Sequence, residues 1–216
     1  MLFRSLEWSR GRPESMSDFK DKIDTVAQPF ISHETGQWCV FPDFEEIKKY
    51  TGVTRALNFE LFQELLSDQD MGHLSREFLH ASGKLQALSY KHEIEKTLRT
   101  PDYAGFQLLS LNDFSGQGTA LVGLLNAFWE EKGYLTAPEF RRYCSPTVPL
   151  IRTAKFVYTN NERLQATVEL SHFGALPIDD ARIEIVIRRK DGRIVHEQQI
   201  AKVNVPIGSN IPAGKI

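Results

Sequence analysis

Within this 216-residue chain, residues 28–38 (QPFISHETGQW) place one acid, Glu34, between an apolar run and a glycine. Pro29, Phe30 and Ile31 have the composition of a short buried strand, and Glu34-Thr35-Gly36 falls where such a strand stops. A carboxylate there is a candidate nucleophile or proton-transfer group, because parallel α/β folds gather ligands at the C-terminal ends of their strands. A second polar end follows at Asn112-Asp113, after the apolar run from Phe106. Where neighbouring parallel strands open on one mouth, Glu34, Asn112 and Asp113 would face a common pocket. Capping the following turn is the other role open to Glu34. His33 and Trp38 flank it, and a lone His or Trp is more often a packing residue than a ligand-binding one.

Other chemistries lack their residues. HETG is not HExxH, and His92 in HEIEK has no second histidine four residues on, so a zinc-binding helix face is missing. Gly116, Gly118 and Gly123 depart from GxGxxG and from the P-loop, whose lysine is absent, and GxSxG does not occur. Cys39 and Cys144 stand far apart without CxxC spacing, which predicts two buried thiols and no metal site or disulfide framework. No cofactor is expected.

The apolar fraction of 41%, the charged fraction of 25% and a net charge of -2 describe an ordinary globular composition. No basic stripe with interleaved aromatics argues for nucleic acid as a partner. No uninterrupted run of about 18 apolar residues argues for a membrane span, and the opening residues lack a secretory pattern.

The elements that must hold these residues change character near residue 150. Leu74, Phe78, Ala81, Leu85, Leu88, Ile94 and Leu98 recur with a helical period, so a long amphipathic helix is predicted there, loosened at Gly83. After TPDYAG, Phe106–Asp113 reads as a strand. Leu121, Leu124, Leu125 and Phe128, spaced i, i+3, i+4, i+7, predict a further helix to about Gly133. Strand, helix, strand, helix is the alternation of a parallel sheet with helices outside it. Beyond residue 150 the period becomes two: Ala166, Val168 and Leu170, then Ile183, Ile185 and Ile187 before the turn signal Asp191-Gly192. Short alternating strands of this kind predict an antiparallel β-sandwich. The expected fold class is therefore α/β followed by all-β, with domains at 1–150 and 151–216.

Ser32-His33-Glu34-Thr35-Gly36 and FQLLSLND, residues 106–113, resemble the seventh and eighth barrel strands of glycoside hydrolase family 2, the β-galactosidase, β-mannosidase and β-glucuronidase group. That family carries its nucleophilic glutamate in a Ser/Thr-Glu-aromatic-Gly motif, where Glu34 and Gly36 match. Thr35 stands where an aromatic is usual, and His33 where the small hydroxyl residue is. Strand eight in many members reads Trp-Gln-Leu-Asn-Asp; this chain keeps Leu111, Asn112 and Asp113, has Leu109 and Ser110 in the first two places, and leaves Trp38 or Phe114 to form the sugar-stacking wall.

The resemblance implies the last two βα units of a TIM (β/α)8 barrel, followed by part of an immunoglobulin-like β-sandwich. It implies a retaining, exo-acting hydrolase of terminal β-linked sugars, with a carbohydrate as partner, Glu34 as nucleophile, and His33, Trp38, Asn112 and Asp113 binding the substrate. Such enzymes are often exported to the periplasm or beyond. The family's acid/base glutamate ends strand four, for which nothing upstream of Gln28 leaves room, and a whole barrel takes about 250 residues. The expectation is a C-terminal piece of a longer enzyme, inactive without the missing N-terminal part of its parent chain. A non-catalytic α/β plus β-sandwich protein that binds carbohydrate or a protein partner is the alternative.

Overall fold

The structure is a computed structural model, and it describes residues 13–114, 117 and 120–216. The opening segment through residue 12 and two glycines of the discarded phosphate-cradle stretch, Gly116 and Gly118, lie outside the described residues.

The first part of the chain is mixed α/β. After a single helical turn, α1 (Lys20–Ile23), come strand β1 (Phe30–Thr35), helices α2 (Leu57–Asp68) and α3 (Ser75–Arg99), and strand β2 (Tyr103–Leu108). The two strands form one sheet. The Phe30 ring meets Tyr103 edge-on at one end, and Leu109 N–H donates to Thr35 O at 2.9 Å at the other, so β1 and β2 run in the same direction. The α2 helix stops in a Schellman motif: Met71 N–H bonds Leu66 O, Asp70 N–H bonds Ser67 O, and Asp70 takes a positive φ of 57°. Unbroken by proline, α3 carries Glu77 in its first turn and Lys96 and Arg99 in its last, each complementing the helix dipole. A core of Val40, Ala56, Phe59, Leu79, Leu121 and Tyr134 holds these elements. Gly83 lets the Tyr134 ring lie against α3, since a Cβ there would sit 2.3 Å from the ring.

The helix expected over 121–133 does not form. Residues 121–124 are buried consecutively rather than one face at a time, and the backbone bonds to 111–114 instead: Asp113 N–H to Leu125 O, Leu125 N–H to Leu111 O, Phe114 N–H to Ala120 O. Asn126 Oδ1 accepts from Phe128 N–H and Glu130 N–H, a local turn that competes with helix. The strand expected over 106–113 likewise begins at Tyr103 and ends at Leu108, beyond which the chain makes only isolated bridges. A short helix, α4 (Ala137–Arg141), follows.

The rest is β-rich and antiparallel. Strands β3 (Thr147–Arg152), β4 (Thr167–His172) and β7 (Gly208–Lys215) form one sheet in the order β3-β4-β7, and β5 (Ile178–Arg188) pairs with β6 (Ile194–Val205) in a second. Asp191 and Gly192 form the β5–β6 turn, with Gly192 at φ 87°. The period-two residues meet in one core, where Val168, Leu170, Val205, Ile211 and Ala213 pack with Ile183 and Ile185 of the hairpin. The described residues fall into two compact units, one of Ile31–Ile94 with Phe106–Arg141, the other of 13–30, Glu95–Gly105 and Arg142–Ile216.

Candidate functional site

Along β1 burial alternates through Phe30, Ile31, Ser32 and His33, then breaks at Glu34, whose φ is 57°. Gly36 follows at φ 90°, pressed against the ring of Tyr90 so closely that a Cβ would lie 1.9 Å from it. Glu34 and Gly36 are thus two left-handed residues in three. Ser32 and Thr35 hydroxyls lie 3.2 Å apart, and Glu93 on α3 accepts from Gly36 N–H at 3.0 Å. The Gln37 Nε2–H donates to Glu34 Oε2 at 2.7 Å.

Glu34 borders a pocket of about 380 Å³. The end of β1 and the residues after it contribute Glu34, Gln37 and Cys39 to its lining, and the chain beyond β2 contributes Leu109, Gln117, Ala120 and Val122. The volume is in the range of small-molecule sites. Glu34 is the carboxylate among the described lining residues. A larger pocket of about 570 Å³, lined by Val40, Phe41, Phe62, Phe78 and Leu121 among others, is apolar apart from Cys39 and Ser82, and presents no acid–base pair.

The other residues singled out in the sequence lie elsewhere. His33 is exposed on the face of β1 opposite Ser32. Trp38 is half-buried, its indole N–H buried with no hydrogen-bond partner and its carbonyl accepting from Gln86 at 2.7 Å. Asn112 donates to the Asp113 carbonyl at 3.1 Å and bridges to Leu125. None of these three, nor Asp113, is among the described residues lining the Glu34 pocket.

Asp113 is 3% exposed and forms a buried ion pair with Lys132 at 2.7 Å, while also accepting from Gly123 N–H at 2.9 Å. Gly123 has no room for a side chain, since a Cβ would lie 2.2 Å from the Asn112 carbonyl carbon. Burial pushes the Asp113 carboxyl up and the Lys132 ammonium down, each held against that shift by its partner. The pair anchors the 111–125 crossing. Glu46 is buried nearby, and burial together with the charges of Asp113 and Asp43 raises its pKa to about 7.

The sequence reading missed Gln37 and the polar stripe of α3. Gln86 Nε2 donates to the carbonyls of Trp38 and Val122, Tyr90 O–H donates to Val122 O, and Tyr134 O–H donates to Gln86 Oε1. With Glu93 on Gly36, one helix face fastens both chain segments that line the pocket. The signal was present as polar residues at 86, 90 and 93, a helical spacing. Cys39 is exposed, contrary to the expected burial, and lines both pockets; Cys144 is half-buried, and burial raises its thiol pKa.

Residues 162–216, which hold β4 to β7, match a family described as a domain of unknown function (DUF8488). No curated protein matches the chain. Among the described residues there is no cluster of three His, Cys, Asp or Glu side chains able to hold a metal ion, and no helix long and apolar enough to cross a membrane.

Proposed function

We propose that Glu34 is the nucleophile of a retaining hydrolase of terminal β-linked sugars, similar to glycoside hydrolase family 2. In this reading β1, β2 and the helices between them belong to the end of a (β/α)8 barrel, and the two antiparallel sheets to an immunoglobulin-like sandwich. The observation that carries it is Glu34 itself, a carboxylate at the C-terminal end of a parallel strand, lining a pocket of about 380 Å³ and accepting from an amide donor.

The chemistry is a double displacement. A Glu34 oxygen attacks the anomeric carbon as the bond to the leaving oxygen breaks, and a carboxylic acid protonates that oxygen. The same acid, now a base, takes a proton from water, whose oxygen attacks the anomeric carbon and releases Glu34. The two carboxyl groups of such a pair stand about 5 to 5.5 Å apart. The reading places the second one on a part of the enzyme outside these 216 residues, so the chain alone does not turn over.

The test uses the full-length polypeptide that carries this chain and a panel of 2-deoxy-2-fluoro-β-glycosyl fluorides of galacto, gluco, manno and glucurono configuration. One of them labels Glu34, as read by peptide mass spectrometry. Glu34→Gln keeps the size of the side chain and removes the attacking charge, so turnover falls by about four orders of magnitude and labelling ceases. Label on a different carboxylate, or a near-normal rate in Glu34→Gln, returns Glu34 to turn capping and favours a binding protein.

A further inference from the structure

Gln37 has no role in the displacement itself, yet its side chain donates a hydrogen bond to the attacking group. We propose that Gln37 is the positioning residue of Glu34, fixing the plane of its carboxylate for in-line attack on the anomeric carbon; this rests on the nucleophile reading above.

Two observations and one physical rule carry it. The Gln37 amide donates to Glu34 Oε2 at 2.7 Å, a short bond of the kind an amide makes to an anion. A donor on one carboxylate oxygen sets the direction of the other, and reaction requires the attacking atom in line with the breaking bond. Both residues line the same pocket.

The backbone beside this bond is held in place. Glu34 and Gly36 both have positive φ, and Gln37 follows directly on this left-handed stretch. Gly36 is fixed from α3 by the Glu93 carboxylate and by the Tyr90 ring.

The experiment measures labelling kinetics with the reactive glycosyl fluoride. Fluoride leaves without protonation by a carboxylic acid, so the rate constant at saturation isolates attack by Glu34. Gln37→Met keeps the length of the side chain and removes the donor. Gln37→Glu keeps the shape and replaces the donor with an acceptor, and it carries the test if the methionine variant does not fold. The expected result is a saturating rate constant lowered about 100-fold with the half-saturating concentration changed by less than about threefold, and full labelling of Glu34 at long times. A purely structural bond would instead lower the fraction of protein that labels and leave the rate constant of the remainder unchanged, which overturns the proposal. So does a rate constant within about threefold of the unsubstituted enzyme. If the unsubstituted enzyme labels on Glu34 and the Gln37 variants label as fast, only the positioning role falls. If the unsubstituted enzyme never labels on Glu34, the nucleophile falls and the positioning role with it.

Discussion

Glu46 is the residue at which the fold and an ionised side chain conflict. It is 3% exposed, its Oε2 has no hydrogen-bond partner, and its charged surroundings are Asp113, Asp43, Lys132 and Lys49. Burial raises its pKa first, the two aspartates add to that, and the two lysines offset only part, leaving it at about 7 against an ordinary 4.5. The folded form therefore holds a proton that the unfolded chain releases. Stability is undiminished below about pH 4.5, declines as the pH rises through the interval, and carries the full cost of ionising Glu46 above about 7, on the order of 3 kcal/mol. Glu162, held down to about 2 by Lys155 and the Thr159 backbone, acts with the opposite sign and only at more acid pH. The expected outcome is that Glu46→Gln is within about 1 kcal/mol of the parent at pH 5 and more stable by roughly 2–3 kcal/mol at pH 8. Denaturant unfolding at the two pH values measures it; equal differences at both would remove Glu46 as the source.

At the scale of the element, α3 does more for the site than any strand. Its period was legible in the sequence but its phase was not. The leucine-rich face, read as Leu85 and Leu88 among others, leaves those two 62% and 64% exposed, while Leu79, Gln86, Tyr90, Glu93 and Thr97 turn inward. Hydrophobic periodicity assumes that the inward face is apolar, and here much of it is polar because it serves loop carbonyls rather than a neighbouring helix. The same limit hid the 121–133 crossing: an i, i+3, i+4, i+7 pattern cannot reveal that Asp113 and Asn126 will claim the backbone donors. The hairpin was legible because alternation and an Asp-Gly turn are both local signals. For the site, the end of β1 and the acid on it could be read, whereas Gln37 could not, since no periodicity signals a side-chain contact made after a strand has ended. Gln86→Leu tests the clamp. It strips the Trp38 carbonyl of its Gln86 donor and takes the acceptor from Tyr134, so we expect a loss of about 2–3 kcal/mol and faster amide exchange along residues 36–39 and 120–123. A change below about 0.5 kcal/mol would mean that other groups hold the pocket walls.

For the whole molecule, the surface argues that these 216 residues do not behave as a lone monomer. On α2, Leu57, Leu61 and Leu65 at i, i+4, i+8 are all exposed, as are Leu85 and Leu88 on α3. Isolated exposed leucines are ordinary, but repeated rows on helix faces are association surfaces. The β1–β2 sheet has two strands only, so each has an outer edge without a strand partner among the described residues, a template for further pairing. A formal charge of -2 supplies little repulsion to oppose either contact. We therefore expect the isolated chain to associate, giving light scattering that rises with concentration across the micromolar range. Leu61→Glu, Leu65→Glu and Leu88→Glu together add three negative charges and remove two leucines from the α2 row and one from the α3 row. Because Leu61, Leu65 and Leu88 are exposed, each change should alter stability by no more than about 0.5 kcal/mol, while the scattering falls towards that of a monomer. If edge pairing dominates instead, the triple variant scatters as the parent does and its far-ultraviolet circular dichroism gains strand signal with concentration. A parent chain that stays monodisperse and melts cooperatively would mean that neither the leucine rows nor the open strand edges act as contacts in solution.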